Sequence, residues 1–337
     1  MTDRAVGTRA TNLEVIGRLR ATMYDWDGQE VLARLGQAFA PDAEIHLAHP
    51  FEDLDGPTGL FEAAYVPLQE ASPDLERRDL IVMAGTTAED NDWVGCCTYY
   101  TGTFAGPFLG IPPTGRQFSM RAHEFFRLVD GRVVEMQALW DVPELMMQSG
   151  CWPMGPTLGR EWHVPGPSTQ DGLQLDRDQG STDESLRIVR DMLTDMGRHP
   201  TEPVEAMRLE RYWHPRMSWY GPSGIGTARG IDGFRRHHQI PFLKAMPDRQ
   251  GSSGSGHAFA DGDFVGFTGW PGMAMTVTGD GWLGIAPSDT AITMRSLDFW
   301  RVEDGLIREN WVLVDLLHAW SQLGVDVLAR VVELTSR

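Results

Sequence analysis

Two carboxylates stand where strands would ordinarily keep apolar side chains. Across residues 117–128 the alternate positions Phe118, Met120, Ala122, Phe126 and Leu128 are apolar, and Glu124 interrupts them. Across residues 292–302 the same alternation carries Ile292, Met294, Ser296, Trp300 and Val302, and Asp298 interrupts it. A period of two places each set on one strand face, turned to a core or a cavity. An acid on such a face is costly to desolvate unless it is paired or kept neutral by a raised pKa. A raised carboxyl pKa in turn suits proton transfer near neutral pH. Arg121, Arg127, Arg295 and Arg301 fall on the opposite faces, which disfavours pairing within the strand. Two readings stand for Glu124 and Asp298: a catalytic or ligand-contacting acid, and a structural ion pair. On the first, both project into cavities, at least one has a raised pKa, and an amide in place of either leaves folding intact.

Four further polar residues are candidates to polarise a substrate oxygen. His46 and Tyr220 are 174 positions apart, on short strands expected to line the cavities; both could equally be satisfied side chains at a cavity mouth. His257 and His238 are expected to face the second pocket. Trp140, Trp219, Tyr99 and Trp270 would suit a flat or ring-shaped ligand. His46 and His49 have a spacing that puts them on opposite faces of an extended segment, and no cluster of cysteines or carboxylates completes a site, so no metal is expected. Cys96-Cys97 lacks the spacing of a redox pair, and the run GSSGSG at 251–256 reads as a flexible loop rather than a phosphate cradle, so no organic cofactor is expected either.

The positioning elements occur twice. Leu109-Gly110-Ile111, Met120-Arg121, Asp130-Gly131, Glu135 and Asp141 recur as Leu283-Gly284-Ile285, Met294-Arg295, Asp304-Gly305, Glu309 and Asp315, every pair 174 apart. The offset continues upstream through Pro41 and Pro215, and Pro67 and Pro241. Two copies of one domain are expected, at 12–150 and 183–330, with a Pro- and Gly-rich linker or surface belt at 151–182. In the first copy the spacing predicts a loose arm over 1–11 and helices over 13–24, 29–39 and 59–69, the last interrupted near Pro67. Strands follow over 43–48, 78–84, 92–104, 117–128 and 133–139, then a helix over 143–148 with Asp141 and Glu144 as a capping box. The second copy repeats the plan: helices over 184–213, a strand at 217–220, a helix over 231–244, strands at 257–260, 264–276, 290–302 and 306–314, and a closing helix over 316–323. Helices first and a meander after is the α+β pattern. Asp130-Gly131 and Asp304-Gly305 read as hairpin turns.

Composition bounds the partners. The chain has 337 residues, a formal charge of −18, 42% hydrophobic residues and three cysteines. Each copy can bury its own core. The charge argues against nucleic acid and against anionic membranes. No apolar run spans a bilayer and the N-terminal residues lack an apolar signal core, so a cytoplasmic protein is expected.

The segment FLGIPPTGRQFSMRAHEFFRLVDGRVVEMQALWD, with SPDLERRDLIV before it, resembles the SnoaL-like polyketide cyclases of the nuclear-transport-factor-2-like superfamily. The second half resembles them through MPD, LGIAP and MRSLDFWRVEDGLIREN. The resemblance implies two cone-shaped domains, each a curved antiparallel or mixed sheet wrapped on helices around an apolar cavity. It implies acid–base chemistry without a cofactor on a small apolar or polyketide-like substrate: aldol-type cyclisation, dehydration or isomerisation, a lyase or isomerase reaction. Epoxide-hydrolase-like water addition and a non-catalytic binding or scaffold role are the alternatives, because relatives include all of these and fold alone does not choose. A small-molecule partner is implied, with a homodimer of the tandem chain left open. The two copies depart from the family at the return strand, where Ala138 and Val312 occupy the place of the usual acid.

Overall fold

The computed structural model describes residues 2–199, 201–251 and 256–336. The chain divides into two compact units: Met1–Trp152 with Gly166–Asp176 and Leu328–Arg337, and Pro153–Pro165 with Arg177–Val327. Each unit is built on one six-stranded sheet with helices, the α+β architecture that the pattern predicts.

In the first unit α1 (Thr2–Tyr24) and α2 (Gly28–Ala38) lead into β1 (Phe39–Leu47) and β2 (Glu52–Asp55). The residues expected as a loose arm thus open a helix. Leu13, Ile16, Leu19 and Met23 follow its turns into the core, each at most 5% exposed. The third helical stretch comprises α3 (Gly56–Leu60), a π-helical turn at Phe61–Tyr65, and α4 (Val66–Ala71). Pro67 has no N–H to give the carbonyl one turn back, and the ladder widens just before it. Then come β3 (Glu76–Thr86), β4 (Asp92–Thr103), β5 (Gln117–Val129), β6 (Arg132–Trp140) and α5 (Val142–Gln148). The sheet order is β2-β1-β6-β5-β4-β3, antiparallel except where β1 runs parallel to β6.

The second unit repeats this order. It has α6 (Thr182–Met196), two short 3-10 turns, β7 (Trp213–Tyr220), β8 (Thr227–Arg229), α7 (Gly230–Phe234), a π turn at Arg235–Gln239, and α8 (Ile240–Ala245). Strands β9 (Gly256–Asp261), β10 (Phe264–Thr276), β11 (Ala291–Glu303) and β12 (Leu306–Val314) follow, then α9 (Leu316–Gln322). The order is β8-β7-β12-β11-β10-β9, with β7 parallel to β12. The π turn again precedes the matching proline, Pro241. The internal repeat reaches the backbone: Asp130 and Asp304, and Leu109 and Leu283, all adopt positive φ near 50°, each followed by a glycine that also has positive φ. A last helix, α10 (Val327–Thr335), has no counterpart in the sequence reading; from Leu328 it belongs to the first unit.

The stretch expected as linker or belt is laid on both units. Arg160 pairs with Thr227 at the edge of β8, and the Gly172 carbonyl accepts from Val82 N at 2.8 Å. Residues 252–255 of the Gly-Ser run lie outside the described residues. The capping box at α5 is corrected. Asp141 makes no capping hydrogen bond there, and Glu144 instead accepts from Arg121 N at 2.8 Å. Burial, then the neighbouring Asp141 charge, pushes the Glu144 carboxyl up to about 8. The corresponding Asp315 does cap its helix, accepting from His318 N at 3.0 Å. No described helix is long and apolar enough to cross a membrane.

Candidate active site

Glu124 and Asp298 both sit on the inward face of a central strand, and their surroundings differ. Glu124 is fully buried on β5. Arg77, reaching from β3 on the far side of β4, donates to its Oε2 at 2.5 Å, and the Tyr100 hydroxyl donates to its Oε1 at 2.8 Å. Arg77 is also bonded to Asp79, which Arg20 holds at 2.7 Å. Tyr65 stacks on Trp140 with ring centroids 5.7 Å apart, and Tyr100 lies 5.2 Å from the same ring. Burial, then the Glu124 charge, raises the pKa of both phenols and keeps them protonated. The structural reading thus applies to Glu124, with a partner two strands away that no spacing within β5 could reveal. An amide at 124 removes one of the two carboxylates that face Arg77, leaving Asp79, so a loss of stability is expected there rather than none.

Asp298 borders a cavity of about 620 Å³ in the second unit. It is 8% exposed, and no ion pair reaches it among the described residues. Ser296 Oγ donates to its Oδ2 at 2.6 Å, and the Asn310 side chain, which donates to the Phe299 carbonyl at 3.0 Å, lines the cavity beside it. Burial pushes its carboxyl up to about 7 although the polar side chains of Ser296 and Asn310 pull the other way. Val312, in the place of the family's usual acid, pairs with Asp298 across β11 and β12 and lines the same cavity. Ala138 stands likewise opposite Glu124.

His238 reaches the cavity from the π turn before Pro241. Its ring stacks on Trp219, centroids 4.1 Å apart, between Phe234 and Phe242. Burial, and after it the positive charge of Arg249, lowers its pKa to about 3, so the imidazole is neutral at ordinary pH. Its Nδ1 has no hydrogen-bond partner among the described residues. A neutral imidazole can donate an N–H to a ligand oxygen without being an acid.

The other expected residues lie elsewhere. His46 and Tyr220 do not line the cavity: the strands alternate, and Ile45 and Trp219 take the inward places. His46 Nδ1 lies 2.6 Å from Asp53, and the Tyr220 hydroxyl donates to Glu309 at 3.1 Å. His257 pairs with Thr268, one residue out of phase with the cavity-lining Phe267. Tyr99 alternates with the inward Tyr100 and pairs with Arg121. Trp270 lies under the Arg295 guanidinium, 4.0 Å from its ring. Trp140 is packed in the first unit's core. His49 Nδ1 faces Glu52 at 2.9 Å, and no metal-holding group of three or more His, Cys, Asp or Glu residues occurs among the described residues. Cys96 and Cys97 are buried free thiols, both pushed up to about 12 by burial.

Three cavity residues went unassigned at the sequence level. Ser296 stands two places before Asp298 in its alternation, which was a readable signal. Asn310 ends the stretch MRSLDFWRVEDGLIREN and was given no role of its own there. Arg249, in the loop after α8, had no signal in spacing.

A family model described as SnoaL-like polyketide cyclase matches residues 18–149 and 201–323. Among curated proteins no sequence matches. Solved structures similar to parts of the chain include IdmH from Streptomyces antibioticus, described as a candidate polyketide cyclase (25% identity, 41% of this chain and 98% of that one, TM-score 0.35). Another is a candidate SnoaL-like polyketide cyclase from Jannaschia sp. CCS1 (27%, 41% and 90%, TM-score 0.33). A third is AclR from Streptomyces galilaeus, described as a candidate hydroxylase (24%, 44% and 90%, TM-score 0.36).

Proposed function

The chain belongs to the SnoaL-like polyketide cyclase family, and from that premise we propose that its second unit is a cofactor-independent acid–base catalyst acting on a small, ring-shaped, polyketide-like carbonyl compound. The observation that carries this is Asp298: a carboxyl that no cation pairs among the described residues, held by Ser296 at the wall of an aromatic cavity, and tuned by burial to about 7. A base with a pKa near the working pH combines a useful ionised fraction with real proton affinity. Asp298 takes a proton from the carbon beside the substrate carbonyl. The neutral His238 N–H hydrogen-bonds the oxygen on which negative charge develops. The enolate carbon attacks a second carbonyl for ring closure and the new alkoxide takes the proton back from Asp298, or a conjugated enolate takes that proton from Asp298 at its remote carbon for isomerisation. The first unit, whose acid is neutralised by Arg77, serves as scaffold.

Deuterium uptake tests the shared first step, because both outcomes begin by enolisation. Aromatic β-dicarbonyl compounds are incubated in heavy water with the wild type, Asp298→Asn and Glu124→Gln, and exchange at the carbon between the carbonyls is followed by proton NMR. Exchange above background should depend on Asp298 alone. Undiminished exchange by Asp298→Asn, or loss specific to Glu124→Gln, contradicts the proposal.

A further inference from the structure

Arg249 lines the same cavity as Asp298 and is 8% exposed. Its Nη2 donates to the Met196 carbonyl at 2.9 Å, and its Nη1 lies 3.8 Å from the Met273 sulfur, a weak acceptor. No carboxylate lies within 4 Å of it among the described residues. Burial lowers its pKa, and no neighbouring negative charge opposes that effect. The contrast with the first unit is direct: there the inward guanidinium of Arg77 is met by both Glu124 and Asp79. A buried cation without a counter-charge is strongly disfavoured. Its retention in a cavity open to a ligand makes sense where the ligand brings the missing charge.

We propose that the substrate of the second unit carries a carboxylate, and that Arg249 is the residue that selects it. The planar fork of a guanidinium fits a carboxylate through two parallel N–H···O bonds. One guanidinium in a cavity otherwise rich in Trp, Phe and Met suits a single-charged group on an apolar ring system, not a phosphate, which calls for several donors. Among the described residues no ion pair joins Arg249 to Asp298, so more than 4 Å separates the guanidinium from the carboxylate although both line the cavity. A ligand anchored by its carboxylate at Arg249 would present its far end to Asp298, away from the anion that would repel an ionised base. This rests on the reading of the cavity as a substrate site.

A matched pair of probes tests it: 2-naphthoate and 2-naphthamide, equal in shape and different in charge, titrated calorimetrically into the full chain. The wild type should bind the naphthoate at least tenfold tighter. Arg249→Met should abolish that preference, with naphthoate affinity falling at least tenfold more than naphthamide affinity, and Arg249→Lys should keep part of it. Equal affinity of the wild type for both probes overturns the carboxylate proposal alone, as does a preference that survives in Arg249→Met. Binding of neither probe overturns this inference together with the reading of the cavity as a site for ring-shaped ligands. Should Arg249→Met fail to fold, the wild-type ratio decides by itself.

Discussion

The two units carry the same strands in the same order, and each sets a carboxylate and a guanidinium inward, yet only one leaves the two charges available. In the first unit Glu124 and Arg77 meet at 2.5 Å, and Tyr65, Tyr100 and Trp140 close around them. In the second, the places of Tyr65 and Trp140 are taken by Gln239 and Val314, and Met273 takes the ladder position of Tyr100. Aromatic mass has moved from the centre to the wall, where Trp213, Trp219, Phe234 and Trp300 line the cavity. The lesson is that one fold turns a buried acid into a structural pin or a titrating group by whether a cation can reach it. Electrostatic cost selects between these fates: the pair compensates its own desolvation, whereas the lone Asp298 is driven toward neutrality.

The sharpest way to break the comparison is to remove the acids one at a time. Asp298→Asn should lower turnover by about a hundredfold or more, and wild-type turnover should rise with pH and level off above about 7, where the carboxylate is ionised. Glu124→Gln should change turnover less than about threefold; steady-state rates against pH check all of these.

Stability should show the opposite ranking. Glu124→Gln leaves Arg77 with Asp79 alone and should cost roughly 2 kcal/mol in the first unit through the lost charged hydrogen bonds. For Asp298 the folded pKa lies above the unfolded one, so ionisation is harder in the fold. Between about pH 4 and 7 the unfolded chain loses its proton first and stability falls as pH rises. Asp298→Asn should therefore stabilise the second unit by roughly 4 kcal/mol above pH 7, about 1.4 kcal/mol for each pH unit between the two pKa values, and make no difference below pH 4. Urea unfolding monitored separately for each unit reads both.

A transplant sharpens the point about volume. Val314→Trp restores the ring that Trp140 supplies in the first unit and should weaken naphthoate binding by about tenfold or more through lost space; unchanged affinity in a calorimetric titration would separate the cavity from the ligand site. The smallest effects belong to the residues displaced from the cavity. Tyr220→Phe and His257→Ala should alter turnover by less than about threefold, measured alongside melting temperature.

What was legible in the sequence follows from the range of the signal. The alternation through Glu124 and Asp298 is local, and the 174-residue offset is a comparison of one chain with itself, so both could be read directly. The phase of β1 was also readable, since Ala43, Ile45 and Leu47 alternate and leave His46 on the other face. That of β7 was not, because Met217 to Tyr220 are all buried, which erases the alternation. Arg77 is 47 residues from Glu124 and meets it only through the β3-β4-β5 register. Arg249 enters the cavity from a loop without periodicity, so only the folded chain brings it to the cavity that His238 also lines.

The central claim is that Asp298 titrates near neutral pH while standing free in its cavity, and carbon-13 NMR of aspartate side-chain carboxyls tests it without any substrate. The resonance missing from Asp298→Asn identifies the residue. A midpoint near pH 7 is the result this structure requires; a midpoint at or below about 4, that of an ordinary solvated aspartate, would contradict it.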